Sequence, residues 1–479
     1  MEYTKMCSVG IDIGTSTSQV VFSRLTVANK AGAFSVPSVE IADKEVIYRS
    51  PIYRTPMVDA ATIDGEALRR LIAREYAACG ITPDQLETGA VIITGEAARK
   101  ENAAVVLEQL SGFAGDFVVE TAGPDLESVI AGQGSGAQRF SQERDAAVIN
   151  LDIGGGTTNA ALFCGGELTA CGCLDIGGRQ VELSPDGRVR SISPGAQRIA
   201  RAHRLHLEVG EQATVETLDA LCDGMNELLE QLTGAMPATP LLDEIASPGA
   251  TKFVLPAEVS IQHICFSGGV ADCVYAPGRD SFAYGDIGVL LGRAIRRGRL
   301  LRTFRVIEAS ETIRATVIGA GSYTTSISGS TVSYAEGLFP LKNVPLLHLS
   351  AEEEAACWAG EEGALENRTR WFLSQSGAAL AALALRGQRD PDYKALSRLA
   401  AAVAAVMDRV LPAGAPLILI VERDIGKALG QRLAKLLEGR RPAAALDGIH
   451  AERGTFIDLG RPVMEGMVVP VVVKTLIWG

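Results

Sequence analysis

The chain has 479 residues, more than a single hydrophobic core usually organises, so about two to four domains are expected. Hydrophobic residues make up 47% and charged residues 21%, an ordinary globular balance, so disorder is not expected. The formal net charge of -12 argues against a general nucleic-acid binder, because phosphate backbones require basic surfaces.

Targeting and redox signals point to the cytoplasm. The N-terminus has no apolar stretch of signal-peptide length, and no run approaches the roughly 18 apolar residues of a membrane helix. The nine cysteines are scattered apart from Cys171 and Cys173, so reduced thiols are favoured over metal ligands. We therefore expect a cytoplasmic protein that binds neither membranes nor nucleic acids.

Strands alternate with helices along the first third of the chain. Residues 7–25 are predicted to form a strand, a Gly-Thr/Ser turn and a second strand, and residues 34–57 add short strands. A helix over residues 64–80 ends at Gly80, and two further strand–helix pairs follow between residues 90 and 134. This alternation predicts an α/β layer architecture.

A second unit begins at residues 146–163, which again read as a strand, a glycine-rich turn and a strand. Short β-elements, two helices over 194–206 and 214–233, a strand from His263 and a helix over 284–298 follow. Residues 300–479 alternate strands and helices once more, with a structural turn predicted at 319–321. The predicted domains are 1–145, 146–299 and an additional C-terminal α/β region, 300–479.

The strongest chemical signal is a turn that occurs twice, 140 residues apart. Glycines let backbone N–H groups face an anion, hydroxyls add donors for phosphate oxygens, and a carboxylate at each strand end can hold a hydrated magnesium ion. A single copy fits an ordinary hairpin turn equally well, but two copies that each open a unit favour a phosphate site. The metal candidates are Asp12 and Asp152, and the phosphate candidates are Gly14, Thr15, Ser16, Thr17, Gly154, Gly155, Gly156, Thr157 and Thr158.

These two turns resemble the phosphate-1 and phosphate-2 loops of the actin, Hsp70 and sugar-kinase superfamily. In that superfamily two ribonuclease-H-like lobes clamp ATP and Mg2+ between two β-hairpins. Residues 124–137 resemble its first connecting helix, and Gly285–Ala294 resembles its second. Residues 266–271 resemble the adenosine loop, which makes Gly268 and Gly269 candidates for contact with adenine. The resemblance implies two such lobes, with ATP and Mg2+ as cofactors.

The whole chain also resembles the reactivating factors of ethanolamine ammonia-lyase. The likeness lies in GIDIGTSTSQVVFSRL, ITGEAARKENA, LDIGGGTTNAALF, SGGVADCVY and the ending GRPVMEGMVVPVVVKTLIWG. Members are chaperone-like ATPases that use ATP and Mg2+ to release damaged cobalamin from the inactivated lyase, so that adenosylcobalamin can rebind. The resemblance implies the lyase as partner and association with a bacterial microcompartment, and it leaves a homodimer open.

ATP hydrolysis needs a positioned water and charge stabilisation rather than a covalent group. Asp12 and Asp152 are the predicted catalytic residues, and Glu96 or Glu127 is a candidate for orienting the water, although a favourable charge at a helix N-terminus also explains Glu96. Two other functions stay open. One is a small-molecule (sugar or carboxylate) kinase of the same superfamily, for which we identify no substrate base. The other is a nucleotide-gated structural relative of actin.

Overall fold

In a computed structural model, the protein is built around three large β-sheets. Two of the sheets have the same strand order, and the third is C-terminal to both. The structure describes residues 3–14, 17–29, 39–59, 62–94, 97, 100–110, 113, 119–121, 124–323, 326–327, 331–376, 378–451, 456–462 and 466–474.

The first sheet is formed by the N-terminal residues. Its strands are β1 (Tyr3–Ile13), β2 (Thr17–Asn29), β3 (Val39–Arg49), β4 (Tyr53–Arg54), β5 (Thr88–Ile93) and β6 (Val119–Thr121), accompanied by helices α1 (Gly65–Cys79) and α2 (Ala103–Leu110). The order is β3-β2-β1-β5-β6, with β4 paired to β2. Strands β1, β2 and β3 are antiparallel neighbours, whereas β5 and β6 run parallel to β1. One face packs its apolar side chains against α1 and α2.

Helix α1 shows how the local sequence sets an element's limits. The Asp64 side chain accepts a hydrogen bond from the backbone N–H of Ala67 at 2.9 Å, which caps the first turn. Leu68, Ile72 and Tyr76 recur at helical spacing and are buried on the sheet. Gly80 ends the helix in the left-handed region, at φ 70°, as its position in the sequence predicts.

The second sheet repeats this plan. Its region contains α3 (Pro124–Gly134), α4 (Ala137–Arg144), β7 (Ala147–Ile153), β8 (Thr158–Cys164), β9 (Glu167–Leu174), β10 (Val181–Leu183), β11 (Val189–Ile192), α5 (Pro194–Ala202), α6 (Val215–Leu232), α7 (Pro240–Glu244), β12 (His263–Ser267), α8 (Ala271–Tyr275), α9 (Gly288–Arg297), α10 (Leu300–Thr303) and β13 (Arg305–Ile307). The order is β13-β12-β7-β8-β9, with β7, β8 and β9 antiparallel and β12 and β13 parallel to β7.

The shared topology confirms the fold class. In each sheet three antiparallel strands lie on one side and two strands parallel to the first lie on the other. This is the arrangement of two ribonuclease-H-like lobes of the actin, Hsp70 and sugar-kinase type. The predicted domain boundary at residue 299 is too early, because β13 belongs to the sheet of the second lobe.

Two helices cross between the lobes. Helix α11 (Ala315–Tyr323) follows β13 and packs against α3 and against β1, β2 and β5 of the first sheet. Helix α3 packs on β7, β8 and β9 of the second sheet. The crossing depends on glycine: a Cβ at Gly134 would overlap the carbonyl oxygen of Ala315, and one at Gly319 would overlap that of Ile130.

The position of α11 corrects two predictions. Residues Gly285–Ala294 are not the second connecting helix, because α9 packs against α6 and α8 within the second lobe. Helix α11 takes that place instead, and the turn predicted at 319–321 lies inside it. The predicted first connecting helix, residues 124–137, contains α3, which does cross α11.

The C-terminal region has its own sheet. Its elements are β14 (Ser326–Ile327), β15 (Ser333–Tyr334), β16 (Leu341–His348), α12 (Ala351–Ala359), α13 (Gly363–Ser376), β17 (Ala382–Leu385), α14 (Tyr393–Val410), β18 (Leu417–Val421), α15 (Gly426–Leu437), β19 (Ala443–Leu446), β20 (Phe456–Leu459) and β21 (Pro470–Lys474). The order is β14-β21-β20-β16-β17-β18-β19-β15, and β16 to β19 are parallel. Both faces of these strands are apolar and buried, in separate clusters. In the part of the chain that is described, no helix combines the length and apolar character needed to cross a membrane.

Candidate nucleotide site between the two lobes

The two predicted turns adopt the same closed geometry. At the β1–β2 turn the backbone N–H of Gly14 donates to the carbonyl oxygen of Thr17 at 2.9 Å. At the β7–β8 turn Gly154 donates to Thr157, also at 2.9 Å. The bond spans the same positions in both turns, so the repeated sequence produces a repeated structure. The predicted phosphate donors Thr15 and Ser16, and the predicted base Glu96, lie outside the described residues.

Asp12 is a buried carboxylate at the end of β1, with 7% of its surface exposed. The Thr94 hydroxyl donates to Oδ1 at 3.1 Å, and Nε2 of Gln19 donates to Oδ2 at 3.3 Å. Burial raises the pKa of Asp12 to about 6, since desolvation disfavours the charged form. The two hydrogen bonds lower this pKa, whereas the nearby charge of Asp152 raises it.

Asp152 occupies the matching place at the end of β7, with 5% of its surface exposed. The Ser267 hydroxyl donates to its Oδ1 at 2.6 Å, and the Thr316 hydroxyl donates to Oδ2 at 3.5 Å. Nδ2 of Asn150 donates to Ser267 in turn, at 3.1 Å, and so fixes that hydroxyl. Burial raises the pKa of Asp152 to about 6, against the lowering effect of both hydroxyls.

The start of α11 brings the two carboxylates together. Gln19, which contacts Asp12, also donates to the carbonyl oxygen of Ile313 at 3.0 Å. Thr316, three residues later, contacts Asp152. The short segment from Ile313 to Thr316, where α11 begins, therefore contacts the carboxylate system of both lobes, and the charge of one aspartate raises the pKa of the other. The structure places Asp12 and Asp152 at a shared site rather than on distant surfaces.

Sequence reasoning missed the polar side chains around the two carboxylates: Gln19, Thr94, Ser267 and Thr316. Gln19 stands opposite Asp12 in the β1–β2 ladder, and Asn159 stands opposite Asp152 in the β7–β8 ladder. These two amides are separated by the same 140 residues as the aspartates. Superposing the two turn sequences would therefore have identified this amide pair.

The residues present fit a divalent cation. None of the described groups that set the pKa of either aspartate is a cation, so the two buried charges lack a positive partner. Buried oxygens of both amides, Oε1 of Gln19 and Oδ1 of Asn159, also have no hydrogen-bond partner among the described residues. Mg2+ prefers one or two carboxylates and several waters, and waters held by such oxygens would complete its coordination.

The predicted adenosine loop lies directly beside the second turn. Gly268 donates its N–H to Thr312 at 3.0 Å, and Val270 donates to the carbonyl oxygen of Ile153 at 3.1 Å. Gly268 has φ +84°, and a Cβ there would overlap the Ile153 carbonyl oxygen, so only glycine fits. The structure thus brings Gly268, Gly269 and the β7–β8 turn together.

The carbonyl oxygens of the second turn are held by the segment after β9. Gly178 donates its N–H to Gly154 at 2.9 Å, Arg179 donates to Gly155 at 2.7 Å, and the Gln180 side-chain amide donates to Gly156. These bonds fix the position of the turn against the rest of the second lobe. The predicted donor Thr158 does not match its role, because its hydroxyl donates to the carbonyl oxygen of Ile176 at 2.8 Å.

Ligand-type side chains also occur on α3 and in an exposed loop of the second lobe. Glu127 is buried on α3 and already has an interaction partner. Within the described ranges, one group of three side chains is spaced to share a metal ion: His206, Glu208 and Glu211. All three are exposed in the connection between α5 and α6, so this group is not part of the two-lobe site.

Two ribonuclease-H-like lobes with paired hairpins and a carboxylate in each define a protein of the actin, Hsp70 and sugar-kinase class. Within that class the chain belongs to the family of the ethanolamine utilisation protein EutA. The model of that family matches residues 4–479. It is 38% identical over 482 residues to the ethanolamine ammonia-lyase reactivase EutA of Salmonella typhimurium (strain LT2), covering 99% of both chains. It is 37% identical over 481 residues to the protein of the same name from Escherichia coli (strain K12), again covering 99% of both.

Similar solved structures are more distant. A Ppx/GppA phosphatase of Aquifex aeolicus, the type II variant, is 14% identical, with a TM-score of 0.37, and the match covers 66% of this chain and 99% of that one. The ethanolamine utilization protein EutJ of Carboxydothermus hydrogenoformans is 14% identical, with a TM-score of 0.32, covering 67% of this chain and 91% of that one.

Proposed function

We propose that the protein is an ATP-dependent reactivating factor, which releases damaged cobalamin from inactivated ethanolamine ammonia-lyase so that adenosylcobalamin can rebind. The observation on which this proposal depends is the pair of buried aspartates, one from each lobe, which have no positive partner among the described residues. The names of the two relatives support the choice of partner.

In this proposal each lobe supplies half of the nucleotide site. Asp12 and Asp152 hold a hydrated Mg2+, and the N–H groups of both turns bind phosphate oxygens. Gly268 and Gly269 let adenine approach the backbone beside the second turn. Mg2+, when bound, would supply the positive charge that phosphoryl transfer to water requires.

Because each lobe supplies half of the proposed nucleotide site, nucleotide binding would affect how the two lobes are arranged. A ligand that contacts both turns favours the arrangement in which the lobes are close, and its loss removes that preference. If the closed and open arrangements differ in affinity for the lyase, the nucleotide cycle alternates between binding and release of the lyase. The protein itself then needs no radical chemistry and no cobalamin ligand.

A reactivation assay tests this function. Lyase inactivated with cyanocobalamin is incubated with the purified protein, ATP, Mg2+ and adenosylcobalamin, and we expect ammonia-lyase activity to return. Asp12→Asn and Asp152→Asn should abolish the recovery, whereas Asp84→Asn, at an exposed site outside the cleft, should retain it. An arm with a non-hydrolysable ATP analogue separates binding from hydrolysis.

Two readouts keep the parts of the proposal apart. Calorimetry with ATP and Mg2+ reports nucleotide binding without the lyase. Nucleotide binding without any reactivation would refute the lyase as partner and leave the nucleotide site standing. Absence of Mg2+-dependent nucleotide binding would refute the site itself.

A further inference from the structure

A second cleft opens between the lobes next to the first turn. It has a volume of about 560 Å³, within the range of clefts that bind small molecules. The first lobe contributes Thr17 and Arg54, and the second contributes Arg179, Glu182 and Arg190. Apart from Thr17, none of these residues belongs to the proposed nucleotide site.

The charge of this arginine cleft is not balanced by the protein. Glu182 is the one carboxylate among its described lining residues, against three arginines. Arg179 has a partner, since its Nε lies 3.4 Å from Oδ2 of Asp286. Arg54 and Arg190 are exposed, and neither forms an ion pair with any residue that the structure describes. Such a concentration of positive charge in a chain of net charge -12 attracts anions.

The arginines are tied to the two turns through the backbone. Arg54 is the ladder partner of Thr17 in the β2–β4 pairing, so it is fixed beside the first turn. Arg179 donates its N–H to Gly155 of the second turn at 2.7 Å. Arg190 lies on β11, in the two-stranded β10–β11 sheet of the second lobe. An anion that spans the cleft would therefore contact cations from both lobes.

The geometry points to a binding site for a small polyanion that is distinct from the nucleotide. Its ligand has at least two acidic groups, because the two unpaired arginines come from opposite lobes and a single oxyanion fills little of the volume. Planar guanidinium groups pair with phosphate or carboxylate oxygens, so an organic bisphosphate or a polycarboxylate fits the chemistry. This assignment rests on the proposed function in one respect, namely that the nucleotide occupies the turns and leaves the arginine cleft free.

Calorimetry on the full chain with ADP and Mg2+ already bound tests the assignment. The two probes are fructose 1,6-bisphosphate for phosphate groups and tricarballylate for carboxylates. We expect one class to bind, and Arg54→Gln or Arg190→Gln to weaken that binding at least about tenfold, the effect of losing a charge-assisted hydrogen bond. Arg70→Gln removes an exposed arginine of α1 that does not line the cleft, and should leave the affinity unchanged. Thermal unfolding midpoints confirm that all three variants fold.

Three results would overturn the assignment. In the first, neither probe binds the ADP-loaded protein. In the second, binding is equally strong in all three variants. In the third, only the intact lyase binds in an arginine-dependent way, which assigns the cleft to an acidic protein segment. ADP affinity is measured first: if ADP does not bind, the proposed function fails, and the same titrations on nucleotide-free protein still decide whether the arginines hold a polyanion.

Discussion

Replacing Asp152 by Asn should stabilise the protein when no metal or nucleotide is present. The aspartate is buried, its pKa is raised from 3.8 to about 6, and none of the described groups that set this pKa is a cation. Asn has nearly the same shape, keeps an oxygen for the hydrogen bond from Ser267, and has no charge to desolvate. The negative charge that suits Asp152 to bind a metal therefore destabilises the protein when no metal or nucleotide is bound.

The magnitude and its sign follow from the pKa. Because the folded-state pKa lies above the unfolded one, the folded protein binds the proton more tightly between about pH 4 and pH 6. The stabilising contribution is complete below the unfolded pKa and is lost as the pH rises through about 6. A difference of about two pKa units corresponds to about 3 kcal/mol above pH 6. Asp152→Asn should abolish this loss of stability at high pH. It also removes the negative charge that raises the pKa of Asp12.

Urea unfolding in EDTA without nucleotide, at pH 5 and at pH 8, measures the effect. We expect the variant to exceed the wild type by up to about 3 kcal/mol at pH 8 and by clearly less at pH 5. Adding ATP and Mg2+ should stabilise the wild type and not the variant. Asp84→Asn should match the wild type throughout. A variant that is less stable than the wild type at pH 8, or a gap that does not change with pH, would refute the account of an unpaired buried charge.

Three further substitutions and one control probe the helix crossing and the site. Gly319→Ala should lower the free energy of unfolding by about 1–3 kcal/mol, because its Cβ would overlap the carbonyl oxygen of Ile130. In the control Gly363→Ala the new Cβ would meet open space, so the free energy of unfolding should change by less than about 0.5 kcal/mol. If urea titrations gave the same effect for both substitutions, the close crossing of α3 and α11 would be contradicted. Gly268→Ala should weaken ATP binding in calorimetry by about tenfold or more, since φ +84° suits only glycine; unchanged affinity would separate this loop from the nucleotide. Gln19→Leu should lower the ATPase rate about tenfold while the unfolding midpoint stays close to that of the wild type, and an unaltered rate would exclude a role for the amide.

The parts of the site that are local in sequence could be predicted. Each turn contains its own aspartate, its own glycine and the strand pair that positions them, within a few consecutive residues. The turn geometry is set by those residues, so the two copies predicted both the lobes and the place where they meet. The hydrogen bonds from Gly14 to Thr17 and from Gly154 to Thr157 have the same length, as expected if the local sequence sets the turn geometry.

Helix α11 could not be identified in the same way. Its sequence contains two glycines, Gly319 and Gly321, each of which disfavours a helix by about 1 kcal/mol relative to alanine. Its described side chains, residues 315–320, are all buried, so no exposed polar face marks it as a surface helix. The segment containing α9 was predicted as the connecting helix from its resemblance to the superfamily, but the apolar face of α9 packs within the second lobe. The contacts from Thr94 and Thr316 were missed for a related reason, because they join residues that are far apart in the chain.

The same helix connects the site to the C-terminal region. Ile313, two residues before the helix, and Thr316 in its first turn contact the two carboxylate systems, and Gly319 allows the close crossing with α3. Helix α11 ends at Tyr323, and β14, which pairs with β21 in the C-terminal sheet, begins at Ser326. Any ligand that changes the separation of the two turns must therefore move α11 or strain its contacts, and α11 is directly followed by that sheet. Since the proposed nucleotide site needs only residues of the two lobes, we expect the C-terminal region to be the part that passes a change of lobe arrangement to a partner protein.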